Sequence, residues 1–215
     1  MGIKIISRIT RFIITILLGL FIAGIIISFT FPISYKDYIN KYSKIQGVDP
    51  LFISAIINVE SKFNKNAISN KDARGLMQIG EQTGLWGAEQ LIIEGYNEEM
   101  LFDPQTNIRI GTWYINRLKQ EFGNNLPLVL AAYNAGSGNV SKWLQNKQYS
   151  EDGTSLNRIP FKETEEYLDK VFVNYKVYKL LYSDYMEKPD SMNSVYIDVI
   201  IYMRTLLNNM IKSFK

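Results

Sequence analysis

Asp49-Pro50-Leu51-Phe52-Ile53-Ser54-Ala55-Ile56-Ile57-Asn58-Val59-Glu60 is the stretch from which the fold of this chain is read. An aspartate ahead of a proline supplies an N-cap oxygen and then a residue whose missing N–H costs nothing in a first helical turn. The apolar-rich run that follows predicts a helix through about Glu60. Ile53, Ile56 and Ile57 stand seven, four and three residues before Glu60, so the carboxyl shares an apolar face. A carboxylate there is poorly solvated, which raises its pKa and favours the protonated acid at neutral pH. Such an acid suits proton donation to a glycosidic oxygen. Periodicity alone reads Glu60 first as a solvated glutamate at a fraying helix end, since most glutamates are surface residues.

Outward from this stretch the signals stay helical. A second pair, Asp103-Pro104, opens a helix carrying Ile108, Trp113, Ile115 and Leu118 and stopped near Gly123. Pro127 begins a third, Leu128 to Asn134, ended by Gly136 and Gly138. Residues 145–160 are polar and turn-rich and read as a surface loop, and a fourth helix is predicted from about Glu163 to Tyr185. No alternating run is long enough to require a large sheet, and no repeat of fixed period appears. The fold class is mainly α.

The chain of 215 residues has no cysteine and no histidine. Disulfides, thiolate nucleophiles, Cys- or His-ligated metals, imidazole bases and the Ser-His-Asp and Cys-His triads are thereby excluded. Acid–base chemistry falls to Glu, Asp, Lys or Tyr. A hydrophobic share of 47% and a charged share of 21% are those of a folded protein rather than a disordered one. Lys4, Arg8 and Arg11 precede the first acidic residue, Asp37; with those three set aside, 21 basic and 21 acidic residues remain. No basic body is left to attract phosphates, so a nucleic-acid partner is not expected.

Residues 12–35 carry no charge, and the 20 residues of 12–31 extend roughly 30 Å as a helix, enough to cross a hydrocarbon core. The basic residues before them place the N-terminus in the cytoplasm and the rest outside. A cleaved signal peptide has a shorter apolar run, about 7–15 residues, ending in small residues; here Ala23 and Gly24 lie inside the run, followed by three isoleucines. An uncleaved single-pass anchor in the cell membrane is therefore expected, with an extracytoplasmic domain. The expected organisation is a basic flank (1–11), an anchor (12–31), a juxtamembrane linker (32–42), a catalytic domain (43–185) and a C-terminal amphipathic helix (186–215). In that tail, after Pro189, Tyr196, Val199, Ile200, Met203, Leu207, Met210 and Ile211 recur at helical spacing, with Asp198, Thr205, Asn208, Asn209 and Lys212 between them. It reads as one more packed helix, ahead of a helix lying on a membrane surface.

Four motifs then occur in order: Glu60-Ser61-Lys62-Phe63; Ala73-Arg74-Gly75-Leu76-Met77-Gln78-Ile79; Ala131-Ala132-Tyr133-Asn134-Ala135-Gly136; and Ile159-Pro160-Phe161-Lys162-Glu163-Thr164 with Tyr167. Together they resemble the soluble-lytic-transglycosylase-like family of peptidoglycan-cleaving enzymes, over roughly 43–185. The resemblance implies a lysozyme-like fold with Glu60 as the single catalytic glutamate, first acid and then base. It further implies that Ser61 helps orient that helix end, and that Gly75, Leu76, Met77 and Gln78 line a saccharide groove. Tyr133 and Asn134 would face the glutamate, Tyr167 would complete the site, and Glu163 would contact substrate. From the residues alone, Met77 reads as well as a core filler. The expected partners are peptidoglycan glycan strands, the membrane and, beyond them, envelope machinery; no metal or cofactor is expected.

One segment departs from the family pattern. Relatives commonly continue Met-Gln-Ile with Met-Pro, whereas Gly80-Glu81-Gln82-Thr83-Gly84 stands here, touching the groove downstream of Gln78. A second carboxylate, usual in glycosidases, is absent from the Glu60 motif; Asp72 sits on a polar loop and reads as solvated. The family mechanism needs only one: the substrate's N-acetyl group stabilises the developing cation, and the muramic C6 hydroxyl closes a 1,6-anhydro ring. The alternatives are a hydrolytic muramidase of the same fold and a silent wall-binding module of a secretion or conjugation apparatus.

Overall fold

A computed structural model of the chain describes residues 2–187 and 192–213; Pro189 lies outside the described residues, as do the side chains of Lys4, Tyr196, Asn208, Ile211 and Lys212. In chain order the helices are α1 (Gly2–Thr30), α2 (Lys36–Gln46), α3 (Pro50–Ser61), α4 (Glu81–Gln90), α5 (Pro104–Glu121), α6 (Leu126–Ala135), α7 (Ser137–Leu144), α8 (Lys162–Glu187) and α9 (Met192–Ser213). A 3₁₀ turn, Glu98–Phe102, precedes α5. Among the described residues the only strand-like pairing is a pair of isolated bridges joining Arg74 to Ile68 and to Ile79. The mainly α expectation is met.

α3 is the central element. Asp49 caps it by accepting from the Leu51 N–H at 2.8 Å, and every residue from Leu51 to Asn58 is buried. A helix so enclosed needs apolar residues all round, which Leu51, Phe52, Ile53, Ala55, Ile56 and Ile57 supply. It packs mainly on α8 and also on α2. Burying a large aliphatic side chain stabilises by roughly 1.5–3 kcal/mol, so this one helix anchors much of the core. The second expected cap is also present: Asp103 accepts from the Thr106 N–H at 2.8 Å and opens α5.

One expectation from the sequence needs correction. The stretch 32–42 is not a free linker: its residues from Lys36 onward form α2, whose Ile39 and Tyr42 enter the core with Ile33, and which packs on α5. α4 and α7 had no counterpart among the predicted helices. α4 carries Gly84 and Gly87, poor helix formers, because a Cβ at Gly87 would stand 2.7 Å from Ile110 and one at Gly84 would stand 2.2 Å from the Tyr96 hydroxyl. The glycines are there for close packing, which a local propensity reading registers only as disruption. α7 is eight residues long and contains Gly138.

α1 is apolar from Arg8 to Thr30 and largely exposed along that length; it is the one helix among the described residues long and apolar enough to cross a membrane. It joins the globular body without slack. The Tyr182 hydroxyl donates to the Phe31 carbonyl at 2.6 Å, the Tyr178 hydroxyl donates to the Pro32 carbonyl, and the Asn58 amide donates to the Thr30 carbonyl at 3.1 Å. The expected tail helix is present as α9, which packs on α1 and α8.

Candidate active site

Glu60 sits in the last turn of α3, half-buried, with its carboxyl against α8. The Tyr167 hydroxyl donates to Glu60 Oε1 at 2.7 Å, while Oε2 accepts no hydrogen bond from the described residues. Burial raises the Glu60 pKa from 4.5 to about 7, and the Tyr167 bond, which favours the charged form, opposes that rise. The carboxyl thus holds its proton over much of the neutral range and keeps one oxygen open.

Two phenols frame it. Tyr167 and Tyr133 are both held well above the usual tyrosine range, first by burial and then by the nearby Glu60 charge. Both stay protonated donors. The Tyr133 hydroxyl donates to the Met77 carbonyl at 2.7 Å, which ties α6 to the segment 74–78. The next residue, Asn134, accepts from the Thr164 hydroxyl at 2.7 Å, tying the end of α6 to the first turn of α8. Its NH2 group donates to no described residue and remains available.

The segment Arg74–Ile79 is the most tightly specified backbone in the site. Ser61 Oγ lies 2.7 Å from the Leu76 carbonyl and 3.2 Å from that of Ile57, so its proton is held between them and joins α3 to this segment. Gly75 has φ +74°, and a Cβ on it would stand 2.1 Å from the Leu101 carbonyl oxygen; only glycine fits. Leu76 and Met77 are fully buried and Gly75 is buried beside them, so this part of the segment packs in the core and Gln78 is its partly exposed member. The Met77 sulfur fills the space that a side chain at Gly111 would need. Gln78, with φ 48°, turns its amide nitrogen back onto the Gly75 and Ala67 carbonyls at 2.9 and 3.2 Å.

Glu60, Ser61, Gly75–Gln78, Tyr133, Asn134 and Tyr167 therefore come together as one connected network. Glu163 stands apart: it is exposed in the first turn of α8, one turn before Tyr167. The residue that sequence reasoning missed is Asn107. Fully buried on α5, it accepts from the Met77 N–H at 2.8 Å and donates to the Arg74 and Leu101 carbonyls at 2.9 and 2.8 Å. Its signal in the sequence is faint, a polar residue at helical spacing with Gly111 and Ile115 on the buried face of α5.

The family described as Transglycosylase SLT domain matches residues 37–155, more than half of the chain. The chain belongs to this family. Its SLT match begins in α2, again placing that helix within the domain, and stops short of the motif around Tyr167. The chain is 36% identical over 166 residues to a soluble lytic murein transglycosylase of Escherichia coli, covering 76% of this chain and 25% of that protein. It is 31% identical over 173 residues to a membrane-bound lytic murein transglycosylase C of Cronobacter sakazakii, covering 67% of this chain and 46% of that protein. A solved structure of an inactive Glu-to-Gln mutant of the lytic transglycosylase Slt from Pseudomonas aeruginosa superposes with a TM-score of 0.63 at 28% identity. It covers 72% of this chain and 25% of that one. The SLT chain thus spans about a quarter of the length of the soluble relatives it matches, and the lysozyme-like expectation for the fold holds.

Proposed function

We propose that this chain is a membrane-anchored peptidoglycan lytic transglycosylase that cleaves between N-acetylmuramic acid and N-acetylglucosamine, with Glu60 as acid and then base. The observation that carries the reading is a single enclosed carboxyl, pKa about 7, with one oxygen held by Tyr167 and the other open. That is a general acid poised at the working pH. The protonated Glu60 donates to the glycosidic oxygen as the bond to the muramic C1 breaks, and the substrate's N-acetyl group shares the developing positive charge. The carboxylate so formed accepts the proton of the muramic C6 hydroxyl as its oxygen attacks C1, closing the 1,6-anhydro ring. The attack is intramolecular, and its high effective concentration lets it compete with water. The Tyr167 bond becomes stronger once Glu60 is charged, and so stabilises the intermediate stage.

In this reading the Gly75–Gln78 segment backs the saccharide groove as a rigid wall held by Ser61, Tyr133 and Asn107, with Gln78 its partly exposed member. Asn134 presents its free NH2 group to the substrate, and Glu163 contacts the strand from the groove's exposed end. The exposed apolar length of α1 supports the anchor, with the basic residues at its start on the cytoplasmic side. The names of the relatives agree with the reaction class. Digestion of purified wall followed by mass analysis tests the reaction. Anhydro ends are lighter by one water and resist borohydride; reducible muramic ends would instead make the chain a muramidase.

A further inference from the structure

α9 has three faces, and only two of them are accounted for by the fold. Ile197, Ile201 and Arg204, spaced four and three residues apart, face the body: Ile197 is buried, Ile201 packs against the core, and the Arg204 guanidinium stands 5.8 Å from the Phe29 ring at the end of α1. Asp198, Thr205 and Asn209 form a polar, exposed row beside them, and the Tyr185 hydroxyl reaches Asp198 at 3.2 Å. Val195, Val199, Tyr202 and Leu206 recur at four-, three- and four-residue steps on the remaining side, and all four are exposed, Tyr202 by 64%. A continuous apolar row on a helix already packed along its other side is not a core face.

We propose that this row is seated in the lipid of the leaflet nearest the catalytic domain, so that α9 and α1 form a two-helix membrane platform. The proposal rests on α1 being a membrane span. Its own support is the depth at which α9 meets α1. Val199 and Met203 line a cleft with Leu17, Leu20 and Phe21, and Ile197 and Ile200 line a second one with Gly24 and Ile27. At 1.5 Å per residue, Gly24 lies about 9 Å inside the Thr30 end of α1. A half-bilayer of hydrocarbon is about 15 Å deep, so a helix touching α1 at that level stands within or at the edge of the acyl region. Arg204, half-buried with its Nε enclosed, meets the Phe29 ring in the last turn of α1, so this end of the contact lies at the rim of the span. The free row of α9 continues the exposed apolar surface of α1, where Leu17 and Leu20 are 59% and 63% exposed. Lipid therefore covers both. The polar row of Asp198, Thr205 and Asn209 then faces headgroups and water, and Tyr202 sits where an aromatic with a polar tip is favoured.

The chain has no cysteine, so single-cysteine variants report position without background. Full-length Leu20→Cys, Val199→Cys, Leu206→Cys and Thr205→Cys are reconstituted in vesicles of phosphatidylcholine and phosphatidylglycerol and treated with a membrane-impermeant maleimide before and after detergent. Each is also labelled with an environment-sensitive fluorophore and exposed to lipids carrying nitroxides on the acyl chain. The expected result is loss of maleimide reaction at 20, 199 and 206 until detergent is added, quenching by acyl-chain nitroxides at those positions, and free reaction at 205. Leu20→Cys shielded while 199 and 206 react as freely as 205 overturns the proposal and leaves the anchor standing. Shielding at 199 and 206 without nitroxide quenching also overturns it, because a second protein copy then covers the row. Free reaction at Leu20→Cys removes the anchor itself, and the platform with it.

Discussion

The end of α3 and the start of α8 each carry a glutamate, and they place it in opposite surroundings. Glu60 closes a helix buried from Leu51 to Asn58, against two neutral phenols, and its pKa rises to about 7. Glu163 is itself exposed in the first turn of α8, beside the exposed Lys162, Glu165 and Glu166. The residue type is the same; the neighbours differ. Desolvation, which only the first site supplies, turns a carboxylate into a proton donor at neutral pH. The difference between the two regions is therefore chemical rather than positional, and it can be broken from either side.

The largest effect is expected from Glu60→Gln, which keeps the shape and removes the proton. Turnover of purified wall should fall by about 10²–10⁴-fold, the usual worth of general acid–base assistance. Glu163→Gln, assayed in parallel, should retain turnover; a loss at position 163 as deep as at 60 would erase the distinction between the two regions.

The same Glu60→Gln chain should be more stable than the parent at high pH. The carboxyl titrates near 4.5 when unfolded and at about 7 when folded, so the folded state holds its proton across that window. Whatever stability the protonated form provides is fully present below 4.5 and is lost as pH rises through 7. Glutamine has no such loss. The stability difference, measured by denaturant unfolding, should grow from near zero at pH 4.5 to about 2 kcal/mol above pH 7, with allowance for the half-exposed position. A pH-independent difference would mean that Glu60 is solvated like Glu163.

Tyr167→Phe sharpens the comparison by removing the one hydrogen bond that favours the charged Glu60. The pKa should rise further, so the alkaline limb of the pH–activity profile, where the acid loses its proton, should move upward by up to about one unit. A limb that stays in place would detach Tyr167 from the acid. The smallest effect is expected from Glu163→Gln itself. An exposed contact to a glycan strand should raise KM by a few-fold at most and leave kcat unchanged, which initial-rate measurements on a soluble glycan oligomer would resolve.

Much of this arrangement was legible before any coordinates, and the parts that were not share a cause. The Asp-Pro caps of α3 and α5 are local signals and were read with nearly correct starts. Glu60 was legible from the four motifs in their order; the helical face it shares with Ile53, Ile56 and Ile57 did not single it out, since on that ground it reads first as a solvated helix end. Asn107 was not, since its value lies in three backbone groups that are far from it in sequence, at Arg74, Met77 and Leu101. α4 was hidden for the same reason, because Gly84 and Gly87 are explained only by Tyr96, Ile110 and Trp113 on other elements. The partners of Ser61 and Gln78 were hidden likewise: the side-chain donors of both are directed at carbonyls of their own fold. Spacing in the chain identifies which residues share a face, but not which backbone carbonyl a polar group will find.

The three hydrogen bonds from Tyr178, Tyr182 and Asn58 to the carbonyls just after and at the end of α1 carry a consequence for reach. An eleven-residue flexible tether over 32–42 would let its cargo wander about 18 Å from its attachment. Here those residues are folded into the body, and the distance from the end of α1 to Glu60 is set by packed helices. With α1 in a bilayer, the cutting edge is carried on a bracket of fixed height. Such a tool does not search for strands at varying distance from the membrane. On the proposed function, cleavage would be confined to strands that pass at one level, with the rest of the wall out of range.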